Sequence, residues 1–176
     1  MVFIIANIAV EESFGLVKAA RILRECGIDS KKFSVNTFNN TIRIFIDDLE
    51  KAMCFQKIKG YTTLEIKSIF KCEKNEKTLS KLGLVKVFPV SMRVIGYVPI
   101  DDAVVLIQKT SRKGVYVATI CRIRKVEIPL PPTACMFIAN SEDDLKKVIF
   151  YSMLLSKLEK TIENQCSFSA STVNNH

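Results

Sequence analysis

The stretch KFSVNTFNNTIRIFI, residues Lys32–Ile46, reads as a β-hairpin, and it decides the fold class. In its second half Ile42, Ile44 and Ile46 share one face of a strand, while Arg43 and Phe45 share the other. Asn39-Asn40 between the halves tolerates positive φ and favours a tight turn. Upstream, Val2–Ala9 is a continuous apolar run, the pattern of a strand covered on both faces. Between that run and the hairpin, Glu11–Cys26 carries Leu16, Ala20 and Leu23 at helical spacing, and Gly27 supplies a left-handed stop. Downstream, Asp47-Asp48 can cap a second helix running to about Lys59, which Gly60 ends. Tyr61–Phe70 then sets Leu64, Ile66 and Ser68 against Glu65 and Lys67. The predicted order is β-α-β-β-α-β, the split βαβ arrangement of ferredoxin-like folds.

Beyond this the pattern changes. Residues 71–82 are polar and charged and read as a linker. Strand-like runs follow at Gly83–Val90, Arg93–Val98, Ala103–Lys109, Val115–Val126 and Ala134–Ala139, with turns at Pro99–Asp102 and Ser111–Gly114. Ser141-Glu142-Asp143-Asp144 matches a capping box whose acids favour the helix dipole. Leu145, Val148, Ile149, Ser152, Leu155, Leu158 and Ile162 continue it as an apolar stripe. The expectation is an α+β chain with a ferredoxin-like domain over 1–70 and a linker over 71–82. A β-rich domain with a long C-terminal helix spans 83–164, and 165–176 form a polar tail.

Charge is uneven along the chain. Residues 1–70 carry 10 Lys/Arg against 8 Asp/Glu, residues 71–140 carry 12 against 5, and residues 141–176 carry 4 against 5. Nearly all of the net +8 therefore lies in the middle, which suits phosphate backbones or an acidic protein surface. Chemistry of other kinds finds little support. His176 is the only histidine and sits in the tail, so a Ser-His-Asp or Cys-His arrangement and a histidine-based zinc site are not expected. No GxGxxG or GxxxxGK[ST] occurs. The pairs Glu11-Glu12, Asp47-Asp48 and Asp101-Asp102 border structural elements, where capping and turn formation account for them. The reading is of a protein that is not an enzyme and uses no cofactor and no metal.

Six cysteines at 26, 54, 72, 121, 135 and 166 form no CxxC pair, and Cys26, Cys54 and Cys121 lie in apolar stretches. That suits free buried thiols in a reducing compartment. The N-terminal apolar run lacks a preceding basic region and a cleavage site, and no run reaches the roughly 18 residues of a membrane span. An intracellular protein, nuclear or cytoplasmic and without a membrane partner, is expected.

Binding residues are placed by strand geometry. Arg122 and Arg124 project from one face of Val115–Val126, and Lys125 adds charge at the far end. If Ala103–Lys109 pairs with Val115–Val126, then Lys109, Arg112 and Lys113 stand near the hairpin tip. Such a cluster can contact several phosphates of RNA or single-stranded DNA without reading bases; the same charges also protect a sheet edge from aggregation. Lys18, Arg21 and Arg24, three apart on the first helix, read as surface decoration. Phe3 and Phe45 could form a stacking platform, although the run around Phe3 points to burial. On the last helix Phe150, Met153 and Leu154 extend the apolar surface round much of the circumference, which suits homodimer or hetero-oligomer contacts.

The order opening with Val2-Phe3-Ile4-Ile5-Ala6-Asn7-Ile8 resembles an RNA-recognition motif, with one residue more than its first-strand signature. The third-strand signature is absent, since TIRIFIDD holds no glycine and Phe45 alone is aromatic. In the second half, PIDDAVVLI followed by CRIRKVEIPLPPTAC resembles the region before the zinc knuckles in Gag-like proteins of insect non-LTR retrotransposons, through Pro99, Val104–Ile107, Pro131-Pro132 and Cys135. The resemblance implies tandem RNA-recognition-like domains over residues 1–135, and a first domain without its third-strand signature resembles the degenerate versions used for protein contacts. After Cys135 the knuckle pattern stops at Met136-Phe137-Ile138-Ala139, so neither zinc nor knuckle-based nucleic-acid binding carries over.

Overall fold

The computed structural model describes residues 1–11, 13–73, 76–84, 93–122, 135–139 and 141–167. It is an α+β structure of mostly antiparallel strands with a long C-terminal helix, in two compact units. One unit comprises Val2–Ile66 and Met136–Met153. The other comprises Met1, Lys67–Cys135 and Leu154–His176.

In the first unit β1 (Val2–Ala9), β2 (Phe33–Asn36), β3 (Thr41–Ile46) and the start of β4 (Tyr61–Lys71) lie in the order β2-β3-β1-β4. Antiparallel pairing sets Ile4, Ala6 and Ile8 beside Ile46, Ile44 and Ile42, so the isoleucines foreseen on one face form the core. Each isoleucine so buried contributes about 1.5–3 kcal/mol. Helix α1 (Ser13–Glu25) ends as its sequence predicts: Gly27 has φ +73, its N–H donates to Arg24, and Ile28 N–H donates to Leu23. Those two bonds make a Schellman stop, with Leu23 and Ile28 buried as its apolar contact.

The second predicted helix differs in winding. Leu49–Lys57 forms a 3-10 helix, capped by Asp48, whose carboxylate accepts from Glu50 N–H at 3.2 Å. Strand β8 (Phe137–Ile138), within the predicted run Ala134–Ala139, pairs with β4 at Leu64 and Thr63. Helix α3 (Glu142–Ser167) starts at the expected N-cap: Ser141 Oγ accepts from Asp144 N–H at 3.2 Å and donates to the Asp144 carboxylate at 2.9 Å. It runs past Glu163 into the segment read as a tail.

The second unit orders the rest of β4 with β7 (Val115–Arg122), β6 (Ala103–Lys109) and β5 (Val94–Ile100) as β4-β7-β6-β5. Strand β6 is buried on both faces from Ala103 to Ile107, which its unbroken apolar run dictates. On one face Val104, Leu106 and Cys121 make a cluster with Val94, Tyr97 and Cys135 against it. Residues 71–82, read as a linker, hold the end of β4 and the short helix α2 (Glu76–Ser80), with Cys72 and Leu79 buried. The predicted strand Gly83–Val90 lies almost wholly outside the described residues.

One expectation is overturned. The cysteines are not free thiols: Cys26 is bridged to Cys54, Cys72 to Cys166 and Cys121 to Cys135. Pairs 28 and 94 positions apart meet only through the tertiary fold, so reading each cysteine by its local apolar surroundings could not find them.

Candidate nucleic-acid interface

Strands β6 and β7 form the predicted hairpin, in a register that runs from Ala103 opposite Arg122 to Lys109 opposite Tyr116. Its five-residue connection is held by its own first side chain. Thr110 Oγ1 accepts from Arg112 N–H at 3.2 Å and donates to the Val115 carbonyl at 2.9 Å, while Val115 N–H donates to Arg112. Gly114 closes the turn at φ +76, where a side chain is strained. A Cβ there would also stand 3.3 Å from the Cys72 carbonyl oxygen. The Gly114 carbonyl in turn accepts from Cys72 N–H at 2.7 Å. Thus Arg112 and Lys113, both exposed, project from a backbone fixed within the turn and fastened to the end of β4.

Strand β5 brings a further cation to this end. The positive φ of Asp101 turns β5 back on β6, so that Ile100 pairs with Ala103 and Val94 with Gln108. Arg93, one residue before the strand, accepts the Lys109 N–H at 2.7 Å through its carbonyl. Its exposed side chain therefore joins Lys109, Arg112 and Lys113. The turn at Pro99–Asp102 is the sequence signal that folds Arg93 back to this end. Lys71, in the last position of β4, holds Glu73 at 2.7 Å, and the bond from Lys71 keeps the Glu73 carboxyl below the usual carboxylate range.

The predicted cluster is divided. Arg122 is exposed but opposite Ala103, six residues along β6 from Lys109, a distance of about 20 Å at the rise of an antiparallel strand. Arg124 and Lys125 lie outside the described residues.

Other candidates occupy other surfaces. In the first unit Phe3 and Phe45 share the sheet face opposite the isoleucine core, with ring centroids 4.6 Å apart. Phe3 is 8% exposed, as its apolar run foretold, whereas Phe45 is 41% exposed. Beside Phe45 a shallow cleft of about 210 Å³ is lined by Lys31, Lys32, Ser34 and Arg43. Lys32 is engaged there by Asp47 at 2.5 Å, and that hydrogen bond lowers the Asp47 carboxyl below its ordinary value. On α3, Phe150 and Met153 are half exposed and Leu154 is partly buried. Lys18, Arg21 and Arg24 all face solvent, with Arg21 paired to Glu25 at 3.6 Å.

Among the described residues no group of three His, Cys, Asp or Glu side chains could hold a metal ion, and no helix is long and apolar enough to cross a membrane. The hairpin end sets exposed cations on a turn of fixed backbone, an arrangement suited to holding a polyanion. Comparison with protein-family models, curated protein sequences and solved structures finds no match for this chain.

Proposed function

We propose that this chain is a non-catalytic nucleic-acid-binding protein that holds RNA or single-stranded DNA by its phosphates at the β6–β7 hairpin tip. One observation carries the reading: Arg93, Lys109, Arg112 and Lys113 gather at one end of a hairpin whose turn is locked by Thr110 and tied to Cys72. A backbone already fixed in the turn has less freedom to lose on meeting phosphates, and such contacts fix position without demanding a base sequence. The first unit lends support. Its order β2-β3-β1-β4, with α1 and the 3-10 helix as connections, fits a ferredoxin- and RNA-recognition-like domain, and Phe45 with Arg43 stands on the face that such domains turn to nucleic acid.

Titration of single-stranded RNA and DNA against salt tests the proposal. Four phosphate contacts give a slope of log K against log salt near −2.8, so affinity should fall about 50-fold between roughly 50 and 200 mM. Changing Arg93, Lys109, Arg112 and Lys113 together to Glu should abolish both the binding and the slope. Negligible binding by the wild type at 50 mM would sink the reading.

A second reading rests on Phe150 and Met153, half exposed on α3: an adaptor that docks a protein partner or a second copy through that helix. Light scattering tests the second-copy form, which a monomer at all concentrations removes.

A further inference from the structure

The six cysteines carry a consequence for the compartment in which the chain matures. We infer that the chain is built for an oxidising compartment, lumenal or extracellular, in which its three cysteine pairs are permanent disulfides. This replaces the reducing compartment that the sequence suggested.

Every cysteine of the chain is used and none is left over. Each pair closes within one unit and fastens elements that sequence keeps apart. In the first unit Cys26, at the Schellman stop of α1, is joined to Cys54 in the 3-10 helix. In the second, Cys72 just after β4 is joined to Cys166 in the last turn of α3, 94 positions on. There too Cys121, wholly buried beside Val104 and Leu106, is joined to Cys135. Cysteines kept as inert apolar filler have no reason to fall into three mutually adjacent pairs. Nor do they suit metal binding, because no third ligand stands with any described pair. Glutathione and thioredoxin keep thiols reduced in the cytosol and nucleus, where structural bridges of this kind are rare, whereas small exported domains rely on them.

The chemistry balances simply. At each pair two thiols become one S–S bond, giving two protons and two electrons to an external protein disulfide, which leaves as a dithiol. Complete maturation removes six hydrogens from the chain and requires no other reactant.

Acid-trapping in the cell that makes the protein tests the inference. The full-length chain is precipitated in acid, denatured and treated with a maleimide before and after reduction, and its mass and disulfide-linked peptides are read. No additions before reduction and six after it are expected, with 26–54, 72–166 and 121–135 as the linked peptides. In the purified chain, reduction should lower the melting temperature by about 10 °C or more, chiefly through the 94-position bridge. Six additions without reduction in the trapped sample, other peptide pairs, or equal melting of the oxidised and reduced chain would each overturn the inference. None of these readings depends on whether the hairpin binds nucleic acid, so the two proposals fail separately.

Discussion

Removing one cation at a time separates the hairpin tip from its base. Lys113 stands in the locked turn, and Arg122 stands about 20 Å away at the other end of the same two strands. If each tip cation neutralises one phosphate, Lys113→Gln should flatten the salt slope by about 0.7. Extrapolated from 1 M, that is a loss of about fivefold in affinity at 0.1 M salt, near 1 kcal/mol. At the same salt the Debye length is about 10 Å, so Arg122 acts on a ligand at the tip through two screening lengths and keeps about a seventh of its unscreened influence. Arg122→Gln should therefore leave slope and affinity almost unchanged, although it removes the same formal charge. Fluorescence anisotropy with a short labelled oligonucleotide, over a salt series in the absence of reductant, measures both. Circular dichroism confirms that each variant is folded. Equal losses for the two variants would refute a localised site, and would leave only the diffuse attraction of a chain of net +8.

Three further outcomes follow from the same structure. Ser141→Ala removes the acceptor for Asp144 N–H and should cost about 1 kcal/mol, read as a lower denaturation midpoint. Asp47 has its folded pKa lowered by the Lys32 hydrogen bond, so its stabilisation is complete above the unfolded value near 3.8 and disappears as pH falls through the lower folded value. For this partly exposed pair that is about 0.2–1 kcal/mol, so Asp47→Asn should be less stable than wild type at neutral pH and equal to it in strong acid by urea titration. Phe150→Glu with Met153→Glu should leave the melting temperature nearly unchanged, because both side chains are half exposed, and should abolish any self-association seen by light scattering.

What the sequence made legible is local. Alternation fixed the burial of Ile42, Ile44 and Ile46 against Arg43 and Phe45, and Gly27 and Ser141 marked helix ends that hydrogen-bond as their residue types require. The turn at Ser111–Gly114 placed Lys109, Arg112 and Lys113 together. Pairing across distance was hidden from the residue patterns and signalled only by the turns between strands. Arg93 joins them only because β5 folds onto β6, and Arg122 leaves them because antiparallel register sends the two ends of a strand apart. The winding of Leu49–Lys57 was equally hidden, since 3-10 and α turns share capping signals and differ by one residue in hydrogen-bond span.

Cys72 shows why the same limit bears on function. Read locally it was one more small residue in a charged connection. In the fold its N–H holds the Gly114 carbonyl and its sulfur is bridged to Cys166 on α3. One residue thereby links the backbone of the hairpin turn to the last turn of the longest helix, all within the second unit. The cations at the tip supply attraction, but a flexible loop with the same charges would give back much of it as lost freedom on binding. What distinguishes a site from a charged loop here is the anchoring, and the anchoring is made of contacts 42 and 94 positions apart in the chain.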